Sequence, residues 1–171
     1  MPVDYELSVA RRRDREEPAA NLGIFNCKPA PYPVGMFRIT KHIEFCYGHR
    51  LLNYAGKCRH LHGHNGRADI VLEGTELDDR GMVVDFTDVK RNLARWIDDN
   101  LDHRMILHKQ DPAIPMLERL GEPLYLIDEN PTAENIARII YEQASAMGMP
   151  VTEISLWETS TSCATYRKPT R

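Results

Sequence analysis

Within the seven residues Cys58-Arg59-His60-Leu61-His62-Gly63-His64 the chain gathers one thiol and three imidazoles. From Gly66 onward, Arg67-Ala68-Asp69-Ile70-Val71-Leu72 alternates in polarity, which predicts a β-strand that His62 and His64 enter two residues apart, on one face. Two residues of strand rise separate their backbones by roughly 7 Å, a span over which both rings reach one small cation. Imidazole is a borderline ligand that suits zinc. His49, at the end of another strand-like run, becomes a third ligand where an antiparallel neighbour brings it alongside the pair, and three histidines leave a fourth position open. Cys58 then decides the class of protein. As a ligand it closes a structural Cys-His₃ site; standing off, it leaves the open position to water or substrate and its thiol free for chemistry. Spacing permits both, and the bland reading of the whole stretch is a histidine-rich surface loop without metal.

The elements that must position these residues are partly visible. Phe37, Ile39, Ile43 and Phe45 alternate with Arg38, Thr40, His42 and Glu44, predicting a first long strand with His42 on its solvated face. A loop over 51–61 carries Cys58, the second strand runs to about Glu73, and Gly74 through Gly81 turns the chain. After a short extended segment at Met82 to Phe86, the apolar stripe Val89, Leu93, Trp96, Ile97 and Leu101 predicts an amphipathic helix capped by Asp85, with Trp96 as core packing. Asp102 and His103 stand at its end. Asp111-Pro112 and Pro115 read as breakers and Leu124 to Ile127 as a short strand. A second helix is signposted by Asn130 as cap, Pro131 at the first position, Ile136, Ile139, Ile140 and Met147 as stripe, and Gly148 with Pro150 as stop. Two closing strands follow, Val151 to Glu158 and Ala164 to Arg167. The order predicts an α+β domain, a four-stranded antiparallel sheet with two helices on one face.

Length and charge narrow the function. A chain of 171 residues, 42% hydrophobic and 27% charged, is one domain with room for a core. Its net charge of -3 gives no basic field, so nucleic acid is not expected as a partner. No apolar run approaches the roughly 18 residues of a membrane span and no signal-peptide pattern is visible, so the expected compartment is the cytoplasm, with Cys27, Cys46, Cys58 and Cys163 as reduced thiols. Residues 1–35, with the mixed-charge run Arg11 to Glu17 and Pro18, Pro29, Pro31 and Pro33, are expected to form a partly disordered extension; its arginines could alternatively grip RNA or a phosphate-bearing ligand. The folded domain is expected over 36–171.

Cys-x-x-x-His-Gly-His, preceded by Gly-His-Arg-Leu and followed by Leu-Asp-His and Trp-Glu-Thr-Ser, resembles the 6-pyruvoyltetrahydropterin and 6-carboxytetrahydropterin synthases, the tunnelling-fold family, over about residues 36–167. The three-residue spacing between cysteine and His-Gly-His resembles the carboxy enzyme of queuosine and deazapurine biosynthesis. The resemblance implies zinc on His49, His62 and His64; Cys58, Asp102 and His103 as a proton-transfer triad; Glu158 as the residue anchoring the pterin edge, with Thr132 helping to line the pocket; and a homohexamer of two stacked trimers whose sheets join into a barrel, with Asp102 and His103 reaching a neighbouring subunit's site. The substrate implied is 7,8-dihydroneopterin triphosphate and the product 6-carboxytetrahydropterin, with pyruvoyltetrahydropterin formation as the alternative within the family and a non-catalytic zinc module as the alternative outside it. On the residues alone, Glu158 is either an exposed strand-end charge or the acceptor for a two-donor fork. Lys57, Arg59 and Arg50 either meet the triphosphate or are solvated loop charges, and His60 adds a further imidazole inside the motif.

Overall fold

Two thirteen-residue strands, β1 (Phe37–His49) and β2 (His62–Gly74), form the spine of the computed structural model, which describes residues 35–169. They pair antiparallel from Phe37 opposite Gly74 to His49 opposite His62. The alternation of β1 buries Ile43, Phe45, Tyr47 and His49, whereas Phe37 at the far end stays exposed. Beyond β2 lie β5 (Val151–Thr159) and β6 (Ser162–Tyr166), both antiparallel to their neighbours. These are the four antiparallel strands expected.

The sheet is larger and mixed, which corrects the four-stranded expectation. It has six strands in the order β4-β3-β1-β2-β5-β6, because β3 (Arg104–His108) adds parallel to β1, and β4 (Leu124–Ile127) adds parallel to β3. β4 is the short strand expected at Leu124 to Ile127, whereas β3 was not expected, and both are specified by the sheet edge they join. Between them runs α3 (Ile114–Leu120), also unexpected. Pro115 sits in its first turn, where a missing N–H costs nothing, and Gly121 ends it at φ 78°.

Met82 to Phe86 forms no strand, since Asp85 is already the N-cap of α1 (Phe86–Val89), its carboxylate accepting from Thr87 N at 2.7 Å. A π-helical stretch, Lys90–Ala94, continues into α2 (Arg95–Asn100), and the rod buries Val89, Leu93 and Ile97. Trp96 packs edge-on against Tyr125 with ring centroids 6.2 Å apart. In α4 (Ala133–Ala146) the cap is Thr132 rather than Asn130. Asn130 is engaged elsewhere: its amide oxygen accepts from Leu52 N at 2.7 Å and its amide nitrogen donates to Leu52 O at 2.9 Å. Ile136, Ile140 and Ala144 of α4 share one core with Ile43, Phe45, Ala68, Ile70, Leu72, Ile154 and Leu156 of the sheet and Leu93 and Ile97 of the first rod. Among the described residues no helix is long and apolar enough to cross a membrane. The expected N-terminal extension lies, except for Gly35, outside the described residues.

Candidate metal centre

The register of β1 on β2 sets His49 opposite His62 and Tyr47 opposite His64, so four rings project from one face. Gly63, between the two β2 histidines, is needed there: a Cβ would lie 2.9 Å from the Tyr47 carbonyl oxygen, and the strands would have to part. His49 Nε2 is 3.0 Å from His62 Nε2 and 3.2 Å from His64 Nε2, and the three ligand atoms lie within 4.8 Å of one another.

The outer nitrogens fix the tautomers. His49 Nδ1 donates to Pro131 O at 2.7 Å and His62 Nδ1 to His60 O at 2.8 Å. Both Nε2 atoms are therefore bare lone pairs, and two lone pairs 3.0 Å apart repel unless a cation stands between them. Nitrogens at about 2.05 Å from a tetrahedral zinc would be roughly 3.3 Å apart, close to the spacing observed. The donor set and its carbonyl-oriented outer shell thus fit a metal ion. His49 is 3% exposed, and burial lowers its pKa, with the Pro131 carbonyl opposing, which keeps the ring neutral as a ligand must be.

Glu158 reaches this cluster from β5. Its Oε1 is 3.8 Å from His49 Nε2 and 4.0 Å from His64 Nε2, beside the three-histidine group rather than part of it. It accepts a 3.0 Å hydrogen bond from the Tyr47 hydroxyl. Burial first and Glu158 second push the Tyr47 pKa well above its ordinary value, so the phenol remains a donor. Tyr47 has no counterpart among the residues expected from sequence, although its place two residues before His49 on the same strand face was the available signal.

Cys58 lies in a 3-10 turn, Lys57–Arg59, and is half-buried; its thiol is not part of the three-histidine group. The turn docks through Leu51 N donating to Cys58 O at 2.8 Å. Asp102 and His103 form a bonded pair, His103 Nδ1 to Asp102 Oδ2 at 2.6 Å, which adjacent residues achieve here because His103 takes φ 54°. Cys46 clamps both: its N–H donates to Asp102 Oδ1 at 2.7 Å and its carbonyl accepts from His103 N at 2.6 Å. Burial alone would raise the Asp102 pKa, but the Cys46 N–H and His103 outweigh it and hold the carboxyl below its usual range. Thr132 is engaged as helix cap, with Oγ1 accepting from Asn135 N at 3.4 Å. Arg50 is committed to Asp111, its Nε donating at 2.7 Å to a carboxylate that is fully buried. Cys46, Cys58 and Cys163 form no disulfide among the described residues.

Residues 38–169 match the family model described as 6-pyruvoyl tetrahydropterin synthase. A protein of Rickettsia bellii named 6-carboxy-5,6,7,8-tetrahydropterin synthase is 38% identical over 131 residues, covering 72% of this chain and 95% of the relative. One of the same name from Haemophilus influenzae is 30% identical over 141 residues, covering 78% and 100%. Among solved structures, an uncharacterized protein from Wolinella succinogenes superposes with TM-score 0.65 at 29% identity, over 78% of this chain and 99% of that one. The 6-pyruvoyl tetrahydropterin synthase of Caenorhabditis elegans does so with TM-score 0.60 at 25% identity, over 81% and 99%.

Proposed function

The chain belongs to the 6-pyruvoyl tetrahydropterin synthase family, and from that premise we propose that it is a zinc-dependent 6-carboxy-5,6,7,8-tetrahydropterin synthase, a lyase of queuosine and deazapurine biosynthesis. With water as co-reactant, it converts 7,8-dihydroneopterin triphosphate to 6-carboxytetrahydropterin, acetaldehyde and triphosphate. The observation that carries the chemistry is the pair of bare Nε2 lone pairs of His49 and His62, 3.0 Å apart with His64 beside them. The thiol of Cys58 outside that group supports the open-site reading over a closed structural site.

His49, His62 and His64 would hold the zinc, which would supply Lewis acidity toward the side-chain oxygens of the substrate and so acidify the neighbouring C–H and O–H bonds. Cys58 takes protons from the substrate side chain. His103, whose Nδ1 is occupied by Asp102, exchanges protons through Nε2, and Asp102 fixes that tautomer and stabilises the imidazolium. Glu158 receives the ring N–H and exocyclic amine of the pterin, a two-donor fork suited to a carboxylate, while Tyr47 fixes the carboxylate's rotamer. Thr132 lines the pocket from the start of α4. The chain assembles as a hexamer of two stacked trimers in the cytoplasm; the outer edges of β4 and β6, unpaired within the described residues, favour such joining. Incubation of zinc-loaded protein with dihydroneopterin triphosphate should release acetaldehyde in step with triphosphate. Triphosphate release with a pyruvoyl product and no acetaldehyde would assign the pyruvoyl reaction instead.

A further inference from the structure

A cleft of about 510 Å³ opens beside the metal centre, lined by Arg50, Leu51, Asn53, Tyr54, Arg59 and His60. Its walls continue directly into the ligands. Arg50 follows His49 in the chain, and the His60 carbonyl accepts from the Nδ1 of His62. The basic residues here differ in what they have left to offer. Arg50 has closed its fork on the buried Asp111, so its charge is spent within the fold. Arg59 is exposed, and its Nε donates at 3.1 Å to His60 Nε2; no carboxylate pairs with it among the described residues. Lys57, exposed on the same turn, likewise has no carboxylate partner there.

An arginine whose partner is a neutral imidazole keeps most of its fork for another acceptor. Most other arginines of the described residues are neutralised: Arg38, Arg67, Arg80, Arg91, Arg95 and Arg138 each meet an aspartate or glutamate. We infer that this cleft is the subsite for the substrate's triphosphate, gripped by Arg59 from its lining, with Lys57, on the same turn but outside that lining, as a second cation and the His60 ring as a further donor once Arg59 turns to the phosphates. The inference rests on the pterin triphosphate reading, and geometry supports it independently. If the metal engages the oxygens of a three-carbon side chain, the phosphates at that chain's end must lie within a few bonds of the imidazoles, and Arg59 and His60 are three and two residues before the ligand His62 in the same turn-to-strand entry. Planar guanidinium and phosphate match in a bidentate fork that lysine cannot reproduce.

The test titrates inorganic tripolyphosphate into the zinc-loaded full-length protein by calorimetry, with zinc retention checked after each titration. Arg59→Ala should weaken binding about tenfold or more, Lys57→Ala by less, and Arg59→Lys should fall between wild type and Arg59→Ala. Arg91→Ala, a remote exposed arginine, is the control for general charge and should bind as wild type does. With dihydroneopterin triphosphate, Arg59→Ala should raise KM far more than it lowers kcat. Equal binding by all variants would mean that the anion simply sits on the metal, and would overturn the assignment, as would absence of tripolyphosphate binding to wild type. If tripolyphosphate binds in an Arg59-dependent way but the pterin triphosphate is not turned over, the anion subsite stands and the proposed activity falls.

Discussion

Cys58 and Glu158 are the residues whose substitution separates catalysis from architecture. Because the thiol stands outside the three-histidine group, Cys58→Ala should leave zinc stoichiometry and thermal midpoint unchanged while abolishing turnover; loss of the metal, measured by elemental analysis, would make Cys58 a ligand after all. Glu158 is held by one hydrogen bond from Tyr47. Replacing it with glutamine should cost roughly 2–4 kcal/mol of transition-state binding, a fall of about thirty- to a thousandfold in kcat/KM, because the amide turns a donor toward the pterin's donors. Tyr47→Phe leaves the carboxylate but frees its rotamer, and should cost only about 1 kcal/mol. Comparable kinetics for Glu158→Gln and wild type would remove the pterin anchor. The three imidazoles were legible in the sequence because alternation fixes which faces they share. Tyr47, the Pro131 carbonyl and Asn130 were not, since two act through tertiary approach of a segment more than 80 residues from β1's end and the third differs from any other core tyrosine only by what β5 brings to it.

At the scale of elements, the end of β1 is tied down by Arg50 to the turn before α3, where Asp111 also accepts from Ala113 N at 2.8 Å. Burial alone would raise the Asp111 pKa, but the Arg50 guanidinium and the Ala113 N–H outweigh it and hold the carboxyl below its usual range. A depressed carboxyl contributes stability that is complete above its unfolded pKa, about 3.9, and is lost as pH falls through the lower folded value. Asp102 acts in the same direction, and metal-free His49, held below its ordinary value by burial, resists the protonation that acid imposes below about pH 6.5. Metal-free protein should therefore lose stability steadily on acidification. Asp111→Asn should lower stability at pH 7 by about 3 kcal/mol, the scale for breaking a buried pair, and should flatten the loss between pH 5 and pH 3. A variant as acid-sensitive as wild type in thermal melts across that range would contradict the tie. This tie, α3 and β3 are also what sequence reading missed in the fold. The long strands and the two long helical rods carry periodic stripes that burial imposes, whereas β3 and β4 have only five and four residues and owe their pairing to a sheet edge built elsewhere.

For the whole molecule, the placement of the thiol and of the Asp102-His103 pair bears on assembly. The pair is clamped at Cys46, and the Cys58 turn docks on Leu51, five residues further along the same chain direction. In the proposed oligomer the triad would close where His103 of one subunit meets Cys58 of another. Cys58→Ala and His103→Ala should each be inactive alone. Coexpressed in equal amounts and assembled at random, a quarter of the intersubunit sites combine an intact Cys58 from one variant with an intact His103 from the other, so about a quarter of wild-type activity should return. A triad contained within one chain would give none at any ratio. Mixed assemblies that form, as seen by native mass spectrometry, yet stay inactive would exclude the shared site and with it the proposed proton route.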